Sequence, residues 1–410
     1  MTTSDPSASA VATAPHALKN RTFLEFWIGS SISFFGDQFY FVALPWLVLR
    51  VANSALSLGT VLMVAAIPRA AFMLMGGALS DRISLRTILI LTSIGRTALV
   101  SVVSALIWSH GIDLWQIYAL SFCFGLADAF SFPATQALIP SLVAAEQLPA
   151  ANSAIMMSAQ VSAMVAPACA GITIKAWGVA SAFFFDAVSF LFLLLPLVRL
   201  PEKHVPVRTA QKGTLHAIVE GLKYVAADPP LRALMILGAG LNLAFSGTIT
   251  VGLAALAKSR FASAAAYGTL LSALSLGGLL GTFLPGIVKH PSRRGASVLL
   301  ASFSLGIGMV MIGFLHHLLP IVIVLAVMGF VGGYAEVNLA AWFQRHVSRV
   351  LLGRVMSVMM FSAVGLVPIS LVVAGALTQI SIEAMFLASG TIILLVATLA
   401  ALNADVRSIH

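Results

Sequence analysis

Charged residues are scarce in this sequence, and their scarcity excludes a soluble protein. Only 9% of the 410 residues are Asp, Glu, Lys or Arg, whereas 60% are hydrophobic. A soluble domain carries about a quarter charged residues, so no soluble core could bury this much apolar surface. The apolar segments are also too long, and alternate too little, for the strands of a membrane β-barrel. The composition therefore predicts an all-α protein that crosses a membrane many times.

Cysteine is rare, and motifs that bind metals or nucleotides are missing. Cys123 and Cys169 lie in apolar segments, where we expect core residues rather than a disulfide. No Cys/His spacing suits a metal site. No GxxxxGK motif followed by Ser or Thr occurs, which argues against an ATP-driven pump within this chain. We therefore expect no cofactor, no metal and no enzymatic activity.

A concentrated basic region is also missing, although the net charge is +9. The basic residues are spread over short loops, so the sequence does not predict a nucleic-acid partner. Most of the 23 Lys and Arg residues fall in loops on the side of the membrane that holds the N-terminus. This excess predicts cytoplasmic N- and C-termini in a multi-pass protein of the inner (plasma) membrane. The first residues, MTTSDPSASAVATAPH, lack the regions of a cleaved signal and predict a cytoplasmic tail.

Twelve apolar segments reach the length of about 20 residues that a spanning helix needs. They are predicted at roughly 22–49, 54–79, 88–108, 114–132, 151–174, 178–199, 231–256, 264–288, 296–315, 318–340, 354–378 and 382–402. A long polar connector separates the sixth segment from the seventh, and its stretch GTLHAIVEGLKYVAADPP predicts an amphipathic surface helix. The predicted domains are a tail (1–21), an N-terminal six-helix bundle (22–199), a linker (200–230), a C-terminal six-helix bundle (231–402) and a second tail (403–410).

The two halves of the sequence match each other. Aligning them brings Gly125 opposite Gly333 and Asp128 opposite Glu336. An internal repeat of six helices with a long central connector is typical of transporters built from two similar bundles. We therefore expect twelve transmembrane helices in two pseudo-symmetric six-helix bundles around a central cavity.

Several motifs resemble one family of transporters. The stretch GGALSDRISLRT, between the second and third predicted helices, resembles the signature Gly-x-x-x-Asp-Arg-x-x-x-Arg of the major facilitator superfamily. In the fifth helix, Pro167 and Gly171 lie in APACAG, which resembles the Gly-Pro-x-x-Gly-Gly element of the drug:proton antiporter branch, with alanine replacing two glycines. The stretches FFGDQFYFVALP and FPATQALIPSLVAAEQLPAANS are similar to the macrolide-efflux and siderophore-exporter branch. The arginine that many members carry in helix 4 is absent, because Ser121 occupies its position.

The resemblance implies a monomeric secondary transporter in the lipid bilayer. Its substrate would be a small amphipathic or apolar organic compound, such as a drug, siderophore or metabolite, exported by alternating access with protons as the coupling ion. An importer, or a lysolipid or lipid flippase, on the same fold is the alternative. A membrane receptor or an intramembrane enzyme is a more distant one.

Charged side chains within spans need partners or an aqueous cavity, because charge there costs at least a few kcal/mol. Asp37 and Arg69 lie at similar predicted depths in consecutive helices, so we expect them to form a pair that faces the cavity. In this interpretation Asp37 is the protonation site; the alternative is a static ion pair that fixes helix packing. Gln38 and Asn242 are available for hydrogen bonds to substrate, or for bonds between helices.

Two other charges within spans are predicted to be structural. Arg96, in helix 3, is expected to extend to the inner surface or to pair with a neighbouring helix. Asp186 lies near mid-depth in helix 6, a helix that commonly packs outside the cavity in the family that the chain resembles. We therefore expect Asp186 to serve packing.

A gate is predicted at the cytoplasmic ends of the spans. Asp128 and Glu336 occupy equivalent places in the two halves, near the predicted ends of helices 4 and 10. At this depth each acid is expected to pair with loop arginines and so hold the cytoplasmic side closed. The alternative is that each acid only neutralises excess positive charge at the inner face. The other predicted members are Asp81, Arg82 and Arg86 on the side of Asp128, and Arg293 and Arg294 on the side of Glu336.

Overall fold

A computed structural model describes residues 18–80, 83–200, 222–287, 294–348, 351, 355, 358–359, 362 and 365–407. Of residues 73–80 and 404 it describes the backbone alone. Throughout these ranges the chain is helical, with short turns between helices and no β-strand. This agrees with the composition, because only helices and closed barrels satisfy their backbone hydrogen bonds inside a bilayer.

Six long helices make up the first half of the chain. They are α1 (Arg21–Ala52), α2 (Ala55–Ser80), α3 (Leu85–Trp108), α4 (Leu114–Leu142), α5 (Leu148–Trp177) and α6 (Val179–Arg199). The turns between them use ordinary helix signals. Ser84 caps α3, because its side chain accepts a hydrogen bond from the backbone nitrogen of Thr87 at 3.2 Å. Gly178, with φ of 85°, ends α5 in a conformation that favours glycine.

In the described part of the second half, six apolar helices follow. They are α7 (Pro229–Phe261), α8 (Ala264–Ile287), α9 (Arg294–Phe314), α10 (Leu318–His346), α11 (Val367–Ile380) and α12 (Ile382–Leu402). Helix α7 contains one π-helical turn, Thr248–Gly252. There Thr248 Oγ1 lies 2.6 Å from Ser389 Oγ of α12, and the backbone nitrogen of Gly247 donates to Ser370 Oγ of α11 at 2.7 Å. These bonds hold the irregular turn against two neighbouring helices.

The predicted spans agree with these helices. In the part of the chain that the structure describes, eleven helices are long and apolar enough to cross a membrane, and α11 is a shorter apolar helix of 14 residues. Eleven predicted spans are thus confirmed. Helix α11 covers the second part of the predicted span 354–378, whose first part lies largely outside the described residues, as does most of the predicted linker helix.

Two helices extend well beyond their predicted ends. Helix α4 ends at Leu142 and α10 at His346, whereas the sequence predicted ends near residues 132 and 340. The apolar signal weakens before each helix stops, and Pro133 and Pro140 lie inside α4 without ending it. Charged residues on these two helices therefore lie farther from the helix ends than the sequence indicated.

The chain divides into two compact units. Unit 1 comprises residues 1–44 and 64–210, and unit 2 comprises residues 45–63 and 211–410. Helix α1 passes from unit 1 to unit 2 at Pro45, and α2 returns to unit 1 at Val64. Helices α3 to α6 therefore belong to unit 1, and α7 to α12 belong to unit 2.

Unit 1 has its core between α1, α3, α4, α5 and α6, where Phe23 and Phe26 of α1 are fully buried. Helix α3 packs against α6 and α4. Helix α2 meets α4 at Gly125, where a β-carbon would lie 2.0 Å from the backbone oxygen of Ala65. Because glycine has no side chain, the two backbones approach closely here and bring the charged residues of α2 and α4 together.

Unit 2 is held together by several pairs of packed helices. Helix α8 packs against α10, and a β-carbon on Gly281 would lie 2.0 Å from the backbone oxygen of Phe330. Helix α9 packs against α12 and α10, while α11 and α12 pack against α7. Close helix contact in this unit therefore also depends on small residues.

Candidate functional site: a buried charge cluster

Five charged side chains from five helices of unit 1 interact within the spans. They are Asp37 (α1), Arg69 (α2), Arg96 (α3), Asp128 (α4) and Asp186 (α6), here called the charge cluster. Each of them lies within a long apolar stretch of its helix, away from the charges near the helix ends. Ionisable groups at membrane depth are costly unless they are paired or hydrated, so their convergence is a strong indication of a functional site.

Asp128 joins the two arginines of the charge cluster. Its Oδ1 accepts a hydrogen bond from Arg96 Nη2, and its Oδ2 lies 3.2 Å from Arg69 Nη2. Arg96 Nη2 also donates to Ser131 Oγ, one turn further along α4, at 2.6 Å. The Asp128 side chain is 17% exposed, so these charge-assisted bonds are shielded from solvent. One carboxylate thus bridges three helices.

Arg96 is fixed by aromatic rings as well as by Asp128. Its guanidinium carbon lies 5.2 Å from the ring centroid of Phe124 and 5.5 Å from that of Phe190. Tyr40 stacks on Phe124 with ring centroids 4.1 Å apart. Such cation–π contacts are stronger in desolvated places than at exposed ones. Arg96 is therefore held inside unit 1 and does not extend to the inner surface, which corrects one of its two predicted roles and supports the pairing with a neighbouring helix.

Asp37 is the half-buried carboxyl of the charge cluster. It interacts electrostatically with Arg96 and with Arg69. The salt bridge of Arg69, however, is made with Asp128. Asp37 and Arg69 thus lie in the same cluster, but within the described residues no salt bridge joins them, and the reason is geometric. Similar depth along two helices does not show which way each side chain points around its helix axis.

Asp186 is the fully buried carboxyl of the charge cluster, with 0% exposure. Among the residues that the structure describes, neither of its carboxyl oxygens has a hydrogen-bond partner. A β-carbon on Gly36 would lie 3.1 Å from Asp186 Oδ1, so the carboxyl lies against the α1 backbone beside Asp37. The predicted packing role is therefore incomplete, because Asp186 faces the other charges.

The gate hypothesis assigned Asp128 to Arg82 or Arg86, and of these two Arg86, which the structure describes, does not pair with Asp128. Arg86 instead donates to the backbone oxygens of Leu197 at 2.9 Å and Val198 at 2.7 Å, in the last turn of α6. The longer α4 explains the difference: Asp128 lies 14 residues before Leu142, or about 21 Å from the helix end at 1.5 Å per residue. The other two gate residues on this side, Asp81 and Arg82, lie outside the residues whose placement is described.

In the second half, the predicted pair of Glu336 with Arg294 is not formed within the described residues. Glu336 is exposed on α10, whereas Arg294 is buried at the start of α9 with 5% exposure. Within the described ranges, no ion pair joins these two residues. Arg293 lies outside the described residues. Helix α10 continues to His346, so Glu336 again lies farther from the helix end than predicted.

The remaining predicted site residues lie on α1, α5 and α7. Asn242 donates to the backbone oxygen of Gly238 in its own helix at 3.0 Å, so its described bond is not one between helices. Gln38 is half-buried on α1, next to Asp37. Pro167 and Gly171 are buried on α5. The charge cluster contains none of these four residues.

No metal site is evident among the described residues, where no three His, Cys, Asp or Glu side chains converge suitably. The charge cluster instead combines three carboxyl groups with two guanidinium groups. Two carboxylates balance the two arginines, and the third carboxyl is neutral only when it holds a proton. The arrangement can therefore bind or release one proton without leaving an unbalanced arginine.

The chain matches one family model and is similar to proteins that are named as exporters. The family model for transmembrane secretion effectors matches residues 10–410. The multidrug efflux pump Tap of Mycolicibacterium fortuitum is 29% identical over 377 residues, which cover 89% of this chain and 91% of Tap. The enterobactin exporter EntS of Escherichia coli O81 (strain ED1a) is 26% identical over 287 residues, which cover 69% of this chain and 67% of EntS.

The fold is shared with solved transporters. A variant of the nucleoside transporter NupG matches with a TM-score of 0.76 and covers 93% of this chain and 99% of its own. Its sequence identity is 11%, so this likeness concerns the architecture alone.

Proposed function

We propose that this chain, which belongs to the transmembrane secretion effector family of the major facilitator superfamily, exports a small organic compound from the cell. Membership of this family makes the chain a membrane transporter rather than an enzyme. The proposed substrate is amphipathic or apolar, the proposed driving force is a proton gradient, and the proposed mechanism is alternating access. The proposed setting is a bacterial inner membrane with both termini in the cytoplasm.

The proposed direction is supported by the similar proteins. One is named for the efflux of multiple drugs and the other for the export of the siderophore enterobactin. Both names describe outward movement of organic molecules across a membrane. The shared range includes nearly the whole chain in the first case, so both units of the chain have counterparts there.

Proton coupling is supported by the charge cluster, which is the observation that carries the proposal. An ion can drive a conformational change only if it binds two states with different affinity. A proton on the third carboxyl would change the net charge of a shielded cluster that joins five helices of unit 1. Asp37 is half-buried whereas Asp186 is fully buried, so Asp37 is the carboxyl that we assign to proton exchange with water.

The experiment that tests this proposal measures transport in proteoliposomes with an imposed pH gradient. Ethidium, an aromatic cation, and enterobactin, a larger catecholate, are suitable probes because they sample different chemistry. We expect the wild type to move at least one probe against its gradient, and we expect Asp37→Asn to lose this gradient-driven movement. The matched control is Glu25→Gln, which removes an acid of α1 that pairs with Arg21 at 2.9 Å outside the charge cluster.

Two results would contradict the proposal in different ways. Asp37→Asn that moves the probe as the wild type does, in response to the pH gradient, would exclude coupling through Asp37. Movement of the probe into the cytoplasmic side under the same gradient would replace export by import.

A further inference from the structure

Asp186 is buried without the partners that a carboxylate requires. An ionised carboxylate taken out of water is costly unless it is paired and hydrogen-bonded, whereas a neutral acid costs far less. Asp186 is 0% exposed, and within the described residues both of its carboxyl oxygens lack a hydrogen bond. Ser189 Oγ, one turn further along α6, lies close to this carboxyl, but the bond it makes by geometry is to the backbone oxygen of Asp186, at 2.7 Å.

The position of Asp186 depends on the contact between α6 and α1. At Gly36 of α1, a β-carbon would lie 2.0 Å from Ser189 Oγ and 3.1 Å from Asp186 Oδ1. Only glycine allows this approach, and it places the Asp186 carboxyl against the backbone next to Asp37. The structure thus brings a fully buried carboxyl and a half-buried carboxyl to the same segment of α1.

The charged and titratable groups near Asp186 come from two helices, α1 and α3. Asp37 and Tyr40 of α1 and Arg96 of α3 interact with it electrostatically. Within the described residues the ion pair of Arg96 is made with Asp128, and no ion pair joins Arg96 to Asp186. Helix α5, which also packs against α6, carries Lys175 in its last turn, where that side chain is exposed. Asp37 is therefore the neighbour that can exchange a proton with Asp186.

We propose that Asp186 holds the transported proton as a neutral acid and exchanges it with Asp37. Because no hydrogen bond joins the two carboxyls within the described residues, the exchange runs through one bridging water. The O–H bond at Asp186 breaks as its proton passes to that water, the water gives a proton to Asp37, and the negative charge moves from Asp37 to Asp186. Asp37 then passes the proton to water. The assignment rests on the proposed proton coupling, and it adds a second carboxyl, on α6, to the path of the proton.

The difference between the infrared spectra of the wild type and of Asp186→Asn tests whether Asp186 is protonated in the resting protein, without any substrate. In purified protein in lipid nanodiscs at neutral pH, we expect the carbonyl band of a buried neutral carboxylic acid. Asp186→Asn should remove this band, whereas Asp113→Asn should keep it, because Asp113 is an exposed N-cap residue of α4. An unchanged band in Asp186→Asn would overturn the assignment.

Stability gives a second measurement on the same variant. Asparagine is the closest neutral mimic of a protonated aspartate, so Asp186→Asn should fold and show an unfolding temperature close to that of the wild type. If Asp186 were instead an ionised partner of Arg96, its removal would leave that arginine with less compensation and would lower the unfolding temperature. Failure of Asp186→Asn to fold would therefore also overturn the assignment.

Transport of ethidium separates this inference from the proposed function. Asp186→Asn should lose pH-driven accumulation while it keeps exchange of ethidium across the membrane without a gradient. Retention of pH-driven accumulation would exclude Asp186 from the proton path. If the wild type moves neither ethidium nor enterobactin, the proposed function fails for these compounds, and the infrared band still decides the protonation of Asp186.

Discussion

Asp128 is the residue on which the two arginines of the charge cluster converge. Each of its carboxyl oxygens faces a different guanidinium, Arg96 on one side and Arg69 on the other. The side chain of Arg96 is 12% exposed and has few other groups to pair with. The side chain of Arg69 is 41% exposed and is more accessible to water. Removing the Asp128 charge would therefore affect Arg96 more than Arg69.

We expect Asp128→Asn to destabilise the protein. Breaking a fully buried ion pair by removing one partner costs about 3–5 kcal/mol, and the partial exposure of Arg69 reduces this to about 2–3 kcal/mol. The measurement is the midpoint of chemical or thermal unfolding in detergent. Glu25→Gln serves as the control, because its pair with the exposed Arg21 should contribute less than about 1 kcal/mol. Equal stability of the two variants would show that Asp128 is not the anchor of the charge cluster.

The charge cluster could be predicted from the sequence only in part. Charge in an apolar segment stands out, and residue counts place Asp37 and Arg69 near mid-depth. The sequence could therefore predict that both residues belong to a site. The partner of Arg69 could not be predicted, because this pairing depends on the rotation of α2 about its axis and on the close contact of α2 with α4 at Gly125. For the same reason the sequence predicted only a packing role for Asp186, since the charged neighbours of this residue come from α1 and α3.

At the scale of helices, the contact between α2 and α4 positions the charge cluster. The backbone oxygen of Ala65 lies where the side chain of any larger residue at position 125 would begin. Arg69 follows Ala65 by one turn of α2, and Asp128 follows Gly125 by nearly one turn of α4. The glycine contact and the ion pair therefore belong to the same helix crossing.

Gly125→Ala is expected to separate α2 from α4. Its β-carbon would lie 2.0 Å from the Ala65 oxygen, so the backbones must move apart, at a cost of about 1–3 kcal/mol. The Arg69–Asp128 contact should lengthen, and pH-driven transport should weaken together with stability. Gly95→Ala on α3 is the matched control, because no atom lies within 4 Å of its added carbon and alanine favours helix. Similar unfolding midpoints for the two variants would exclude a tight crossing at Gly125.

The helices themselves were more predictable than their ends. Length and apolar content suffice for a spanning helix, and eleven predicted spans are present in the described part of the chain. The end of α4 was missed because the predicted span stopped before Pro133, whereas α4 continues through Pro133 and Pro140 to Leu142. The shorter predicted helix placed Asp128 too close to the cytoplasmic surface, and the expected contact with Arg86 followed from it.

At the scale of the whole molecule, two helices connect the units without a loop. Helix α1 is continuous from Arg21 to Ala52 but passes from unit 1 to unit 2 at Pro45. Proline lacks a backbone N–H, so the helix loses one hydrogen bond at this place and bends more easily. Asp37 lies two turns before this point, on the unit 1 side. Any movement of one unit against the other must therefore act on the helix that carries Asp37.

Pro45→Ala should slow transport without weakening the binding of a substrate. Alanine restores the missing backbone donor and favours a straight helix, so the folded protein should be at least as stable as the wild type. If bending at Pro45 accompanies alternating access, ethidium transport in proteoliposomes should become several-fold slower, while the dissociation constant for ethidium in detergent changes little. Pro140→Ala is the control, because Pro140 also lies within a helix but α4 belongs entirely to unit 1. Unchanged transport rates in Pro45→Ala would mean that the two units move without bending α1 at this residue, and the coupling of Asp37 to the conformational change would then have to act through Arg69, Arg96 and the contacts within unit 1.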